Sequence, residues 1–277
     1  MGLGHNTIYP LEVDERGVII PDRLQDAYQK AETDGKRILA LVANAGTTAA
    51  GLYDPIQEIG EFCRERNLWF HVDGAHGGPV LLSQKYRYLI QGIELADSFS
   101  LNMHKLMRVT AFCTALLVRD ARNLDNAFTQ EASYLFHPKE KPGFDFLHRT
   151  IECTKPVLGL KFFMVLAAMG ETGLGAYIER QFDLTKEAYN YLQSLDDFTC
   201  LVKPQSNIIC FQVKGIDDGH LVLRDRLLAR GNFYVSTASL NGQRYLRLTL
   251  TNPATDMDVI KGLVHEIRDL IKGNKAI

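Results

Sequence analysis

Residues 68–78 read LWFHVDGAHGG. The first six, LWFHVD, have the length and apolar character of a buried strand, and they end on a carboxylate, Asp73. A carboxylate closing a buried strand is costly unless something pairs with it. Two readings stay open for Asp73: a cap or turn residue, or a carboxylate aimed at a cationic nitrogen.

Upstream, residues 38–45, ILALVANA, form another strand-length apolar run that ends in Gly46-Thr47-Thr48. Asp54 and Pro55 then open a helical pattern, as N-cap and first helical residue, with Ile56, Ile59, Phe62 and Cys63 on one side. Downstream, the pattern predicts a helix over 83–93 and strands over 98–101 and 114–118. Short apolar strands alternating with amphipathic helices imply an α/β fold built on a mostly parallel sheet. Ligands of such sheets bind at the carboxyl ends of the strands, where Thr48 and Asp73 both fall.

Residues 121–150 lack clear periodicity and read as a long loop, either functional or disordered. From Pro156 a helical run ends at Gly170 and a second covers about 174–195. Strands follow at 207–213, 233–237 and 245–251, with helices at about 219–230 and 256–272. The expected organisation is a large domain over 1–155 and a smaller α+β domain over 156–277.

Composition narrows the function. Lys plus Arg is 31 and Asp plus Glu is 33, a net charge of −2 that gives no pull toward nucleic acid or anionic membrane. Five scattered cysteines without a CxxC pair argue against a disulfide framework or a zinc ribbon. The eight histidines include no HExxH spacing, and His71 and His76 flank an aspartate as packed or hydrogen-bonded residues more readily than as metal ligands. There is no unbroken run of about 18 apolar residues and no secretory pattern at the start, and Asn6 stands where a myristoylation signal has Ser or Thr. The expectation is a cytoplasmic protein with neither membrane nor nucleic acid as partner.

Three further features could carry chemistry. In Ser100-Leu101-Asn102-Met103-His104-Lys105, Lys105 is either a solvated loop lysine or, once desolvated, a Schiff-base lysine. Gly46-Thr47-Thr48 is by itself a generic turn, and Tyr134, in Glu131-Ala132-Ser133-Tyr134-Leu135, is by itself a loop aromatic. An acid that holds a pyridinium protonated, with a lysine that carries the cofactor aldehyde, is what pyridoxal-phosphate (PLP) chemistry requires.

Taken together, GTT, DPIQEIGEFC, LWFHVDGAHGG, ADSFSLNMHKLM and TALLVRD resemble the group II PLP-dependent amino-acid decarboxylases, a group that acts on aromatic amino acids, glutamate, cysteine sulfinate and diaminobutyrate. The similarity runs on through QEASYLF, IECTKPVLGLKFF, QSNIICFQV and YLRLTLTNP. HVDxA followed about thirty residues later by NxHK is its most specific element. The resemblance implies a type I PLP-transferase fold, with part of the large domain present and a small C-terminal domain. It implies decarboxylation of an L-amino acid to its amine by a dimer. By the same resemblance Lys105 holds the cofactor, Asp73 pairs with its ring nitrogen and Ala75 lies under the ring. Thr48 bonds near the ring's O3′ edge, while His104 and Asn102 serve the phosphate end. Tyr134 would protonate Cα, and disfavours the aldehyde synthases of the same scaffold, which often carry Phe there. Arg247 is open between a substrate-carboxylate contact and a strand-face ion pair.

Three departures accompany the match. The chain opens in what resembles the middle of the family's large domain, without the Ser-rich phosphate turn and ring-stacking histidine. The expectation is therefore a fragment, one half of a split enzyme completed by an N-terminal half, or a non-catalytic interaction subunit, with weak cofactor binding by this chain alone. An uncovered sheet edge and face are expected with it. His76 stands where the family often has Tyr or Trp, and Gly74 where Ala is common.

Overall fold

The computed structural model describes residues 4–128, 149–152, 154–216 and 219–273. Helix α1 (Leu24–Thr33) leads to strand β1 (Ala40–Asn44), helix α2 (Ile56–Glu65) and strand β2 (Trp69–Asp73), then β3 (Ser98–Asn102) and β4 (Thr114–Val118). These strands form one sheet in the order β1-β2-β3-β4, parallel from β1 to β3 with β4 antiparallel at the edge. Alternation along the strands decides what each face meets. Leu41, Ala43, Phe70, Val72, Phe99 and Leu101 turn to a core shared with Ile56, Ile59 and Cys63 of α2. The opposite face is open: Val42 of the edge strand β1 is 47% exposed and Leu116 is 52% exposed.

Helix α2 starts at Ile56, one residue later than expected, and Asp54 is not its cap. The Asp54 carboxylate is buried instead, accepting from Ile19 N–H (3.1 Å), Asn44 N–H (2.7 Å) and Asn44 Nδ2 (2.9 Å). The helix expected over 83–93 is also corrected, to 3-10 turns at Gly78–Leu82, Arg87–Ile90 and Ile93–Leu95. Ser83 Oγ accepts from Tyr86 N–H, and Glu179 Oε1 accepts from Lys85 N–H. The backbone bonds beyond them span three residues, Leu89 N–H to the Tyr86 carbonyl and Gln91 N–H to the Tyr88 carbonyl, and Gly92 turns left-handed with φ of 87°. Within the expected loop a short helix, α3 (Arg122–Ala127), forms.

Helix α4 (Leu158–Gln193) merges the two expected helices across a kink at Gly170, whose φ of 67° and ψ of 171° suit a residue without Cβ. An eighteen-residue window of this helix has a mean hydropathy of 1.3, and the helix is long and apolar enough, by length and composition, to cross a membrane. Its one side packs on the first core through Leu158, Phe162, Val165, Leu166 and Met169, and past the kink Leu174, Ile178 and Phe182 are fully buried there. Ala188 and Leu192 enter a second core. Helix α4 is thus common to both packing units.

The second unit is an antiparallel sheet in the order β5-β6-β8-β7, made of β5 (Phe198–Cys200), β6 (Ile208–Val213), β7 (Ser236–Leu240) and β8 (Gln243–Thr249). Helices α5 (His220–Arg230) and α6 (Met257–Lys272) cover one face, with Phe211, Leu223, Leu227, Leu246 and Ile267 fully buried between them. Each such side chain contributes roughly 2 kcal/mol of burial. Asp256 caps α6 by accepting from the N–H groups of Asp258 and Val259. The other face, with Ile208, Cys210 and Tyr245, turns to Ala49 of the first unit.

Candidate active site

The parallel register aligns Asn44, Asp73 and Ser100 at the carboxyl ends of three neighbouring strands. Asp73 Oδ1 accepts from the Ala75 N–H at 3.0 Å and from Ser100 Oγ at 3.1 Å. Its Oδ2 has no partner among the described residues. The carboxylate is therefore fixed through one oxygen and offers the other. Beyond β3 the chain turns, Lys105 N–H donating to the Asn102 carbonyl at 3.2 Å, which places Lys105 at the same sheet end as Asp73. Lys105 Nζ makes no hydrogen bond or ion pair among the described residues.

His104 Nδ1 lies 2.9 Å from the carbonyl oxygen and 3.0 Å from the amide nitrogen of Cys113, so that edge of the ring is tied to the strand whichever tautomer it takes. Asn102 Oδ1 accepts from Thr114 Oγ1 at 2.9 Å, which leaves its amide nitrogen as a donor. Gly46, with φ of 88°, passes so close to the next loop that a Cβ there would lie 2.9 Å from Gly77 Cα. The loops after β1 and β2 thus meet backbone to backbone, bringing Thr48 and Ala75 to one end of the sheet.

Arg247 of β8 reaches into this region from the second unit. Its Nε donates to the Ala49 carbonyl (3.0 Å), Nη2 to the Thr48 carbonyl (2.8 Å) and Nη1 to Thr249 Oγ1 (2.7 Å). No carboxylate pairs with it among the described residues, so the strand-face ion pair is not what the structure holds. Thr48 meets Arg247 through its carbonyl, and its hydroxyl takes no partner among the described residues.

Two histidines complete the surroundings. Trp69 Nε1 donates to Ser98 Oγ at 2.9 Å, and Ser98 Oγ lies 2.7 Å from His71 Nδ1. Burial lowers the His71 pKa, against the pull of the Asp73 charge. His76 Nε2 lies 2.8 Å from Asn207 Oδ1, and Asn207 Nδ2 donates to the Leu250 carbonyl at 3.0 Å. Burial is the main force that brings His76 down to about 4; the Asn207 bond opposes it, and the charges of Lys105 and Arg247 add to it.

Of the residues singled out in the sequence, Asp73, Ala75, Thr48, Asn102, His104, Lys105 and Arg247 gather at this end of the first sheet. Tyr134 lies outside the described residues. Ser100 and Asn207 were missed. Ser100 was legible as the middle of a polar alternation, Ser98-Ser100-Asn102, on one strand face. Asn207 had no local signal, since its partner is 131 residues away.

These groups fit PLP at both of its reactive ends. The free Asp73 oxygen is an acceptor for a protonated ring nitrogen, and the unpaired Lys105 amine suits the aldehyde. The Asn102 amide is a donor for anionic oxygens.

The comparisons agree with that chemistry. Residues 4–214 match the model of the pyridoxal-dependent decarboxylase conserved domain. The acidic amino acid decarboxylase GADL1 of Xenopus tropicalis is 36% identical over 214 residues, covering 76% of this chain and 42% of the relative. The cysteine sulfinic acid decarboxylase of Mus musculus is 31% identical over 285 residues, covering 95% of this chain and 58% of the relative. The crystal structure of mouse CSAD in apo form superposes with a TM-score of 0.90 at 29% identity, over 97% of this chain and 59% of that one. Catharanthus roseus tryptophan decarboxylase in complex with L-tryptophan gives 0.86 at 25% identity, over 96% and 57%. The chain spans about half the length of these curated relatives. With the matched domain running through both the Asp73 and the Lys105 segments, on the fold of the PLP decarboxylases, the chain belongs to the pyridoxal-dependent decarboxylase family.

Proposed function

We propose that this chain supplies the lysine- and aspartate-bearing part of a site that decarboxylates an L-amino acid to its amine, completed by polypeptide corresponding to the upstream half of the relatives. The observation that carries the reading is Asp73, held by Ala75 and Ser100 through one oxygen with the other free, at the same sheet end as the unpaired Lys105 amine. When bound, PLP supplies the electron-withdrawing ring that takes up the electron pair left at Cα as carbon dioxide departs.

The chain's own residues do the rest. Asp73 keeps a proton on the ring nitrogen, which favours electron withdrawal. Lys105 Nζ is the amine that would hold the cofactor through its aldehyde. Asn102 and His104 offer donors to the phosphate end. Tyr134 is assigned the proton that returns to Cα. Arg247 already holds two carbonyls and the hydroxyls of Thr249 and Ser236, and the second hydrogen of its Nη2 is left to meet a substrate carboxylate.

The test is an absorbance titration of the chain with PLP, with Lys105→Ala as control, followed by amine production from acidic and aromatic amino acids with and without the upstream half. A borohydride-reducible yellow species that disappears in Lys105→Ala, and amine formed once the site is completed, are expected. Amine formation that survives Lys105→Ala overturns the assignment.

A further inference from the structure

The turn after β1 is held twice, once by its own bonds and once by the second unit. Thr47 closes it from within. Its carbonyl accepts from Gly51 N–H at 2.8 Å, its hydroxyl accepts from Leu52 N–H at 3.1 Å, and its own N–H donates to the Leu52 carbonyl at 2.8 Å. Those bonds leave the carbonyls of Thr48 and Ala49 without a donor from the first unit among the described residues.

Both carbonyls are taken from the other side. Arg247 Nη2 donates to the Thr48 carbonyl at 2.8 Å and Nε to the Ala49 carbonyl at 3.0 Å. Cys210, the cross-strand partner of Arg247, brings its Sγ to 3.3 Å from the same Ala49 oxygen. Burial pushes the Cys210 thiol up to about 11, so it keeps its hydrogen at neutral pH and can donate it. The contact continues along the turn. A Cβ built on Gly51, whose φ is 68°, would lie 1.9 Å from Ser206 Oγ and 3.0 Å from Ile208 Cβ, and Tyr53 N–H donates to Gln205 Oε1 at 2.8 Å. The turn thus lies with its backbone against the second unit.

Arginine suits this contact. Two successive carbonyls need donors at two points of one rigid plane, which a guanidinium supplies and a lysine ammonium does not. Nη1 is spent inside the second unit, on Thr249 Oγ1 at 2.7 Å and Ser236 Oγ at 3.5 Å, which fixes the plane that meets the turn. The Thr48 hydroxyl, in contrast, has no partner among the described residues.

We propose that Arg247 and Cys210 are positioning residues for Thr48: from the second unit they take up the carbonyls that the turn leaves open, and so fix the backbone that carries the Thr48 hydroxyl at the sheet end shared with Asp73 and Lys105. This inference rests on the reading of Thr48 as a cofactor contact. It gives Arg247 a task performed before any substrate arrives.

The experiment has two arms. In the chain prepared free of cofactor, hydrogen exchange is read at the Gly51 and Leu52 amides. Arg247→Met, which keeps the length of the side chain and removes its donors, should speed their exchange about tenfold, the order set by one lost hydrogen bond to a charged group, and leave the α6 amides unchanged. Arg247→Lys keeps the charge without the fork and should speed it nearly as much. Cys210→Ala should act in the same direction by less, and Cys210→Ser, whose hydroxyl can donate, should restore protection. In the second arm PLP uptake is titrated by absorbance. Thr48→Val removes the hydroxyl and keeps the turn. It and Arg247→Met should each weaken uptake about fivefold, and the double variant should be no weaker than the poorer single one, whereas a merely structural Arg247 predicts additive losses. Wild-type exchange at Gly51 and Leu52 in folded Arg247→Met and Arg247→Lys, or additive losses in the double variant, overturns the inference alone. Thr48→Val that takes up PLP like the wild type overturns the reading of Thr48 and this inference with it, and a wild-type chain that takes up none overturns the reading of the site on which both rest.

Discussion

A methyl group built on Gly74 would lie 2.1 Å from Cε2 of Phe99, and 2.9 Å from the Ser100 carbonyl oxygen. Phe99 is buried, on the strand next to Gly74, and its ring fills the space where the family's usual alanine would put its side chain. The departure at 74 and the large residue at 99 are one packing solution. Gly74→Ala should therefore destabilise the chain by about 1–3 kcal/mol through overpacking. Adding Phe99→Val should make the double variant less unstable than the sum of the two single changes by about 1 kcal/mol or more. Urea denaturation of the four proteins of the cycle decides it; strict additivity would mean that the ring moves aside at no cost.

The buried imidazole of His76 gives folding a pH dependence of definite sign. Its pKa in the fold is about 4, below the ordinary value of 6.5, because burial disfavours the charge. The unfolded chain takes up the proton first. His76 is therefore harmless to stability above about pH 6.5 and subtracts from it as the pH falls toward 4. Between pH 7 and pH 5 the loss should be about 2 kcal/mol. Urea unfolding at those two pH values should show this slope in wild type and a shallower one in His76→Gln. Equal slopes would place the acid sensitivity elsewhere.

The strands of the first sheet were legible because each is a short apolar run of period two ending at a polar or small residue, and 114–118 was placed to the residue. The helix expected at 83–93 was not there: the apolar spacing is real, but the chain makes three-residue turns, Leu89 N–H bonding the Tyr86 carbonyl and Gln91 N–H the Tyr88 carbonyl, and Glu179 holds the Lys85 amide from outside. Glu179 lies in α4, far along the chain, and no local window reports it. Asp54 failed as a cap for the same reason: its carboxylate is claimed by Ile19 and Asn44, which only the folded chain brings near. Lys105, Asp73 and Arg247 were singled out through motif and resemblance, whereas Asn207, just before β6, meets His76 of the first unit only in the folded chain.

Asp54 is 3% exposed and satisfies three N–H donors, two of them main-chain amides. Asp54→Ala would leave those amides buried and unpaired, at about 1–3 kcal/mol each. A loss of about 3 kcal/mol or more is expected by chemical denaturation. Asp54→Asn keeps one acceptor oxygen and should lose distinctly less. If both variants cost under about 1 kcal/mol, water has replaced the carboxylate.

Asp73→Asn separates the two jobs of this carboxylate. An asparagine oxygen can still accept from Ala75 N–H and Ser100 Oγ, so the loop after β2 should stay in place and PLP should still be taken up. The other terminal atom becomes an NH₂ group, a donor facing a ring nitrogen that must itself carry a proton. The ring should lose that proton, and amine production in the completed site should fall by roughly a hundredfold or more, as when a preorganised electrostatic contact is removed. Ser100→Ala removes one bond to the oxygen that does not face the cofactor, and should cost about tenfold at most. The order of the two effects is the informative part. A larger loss in Ser100→Ala would make Asp73 chiefly a turn residue whose geometry matters, while near-complete loss in Asp73→Asn with the cofactor retained leaves the proton on the ring nitrogen as what Asp73 contributes.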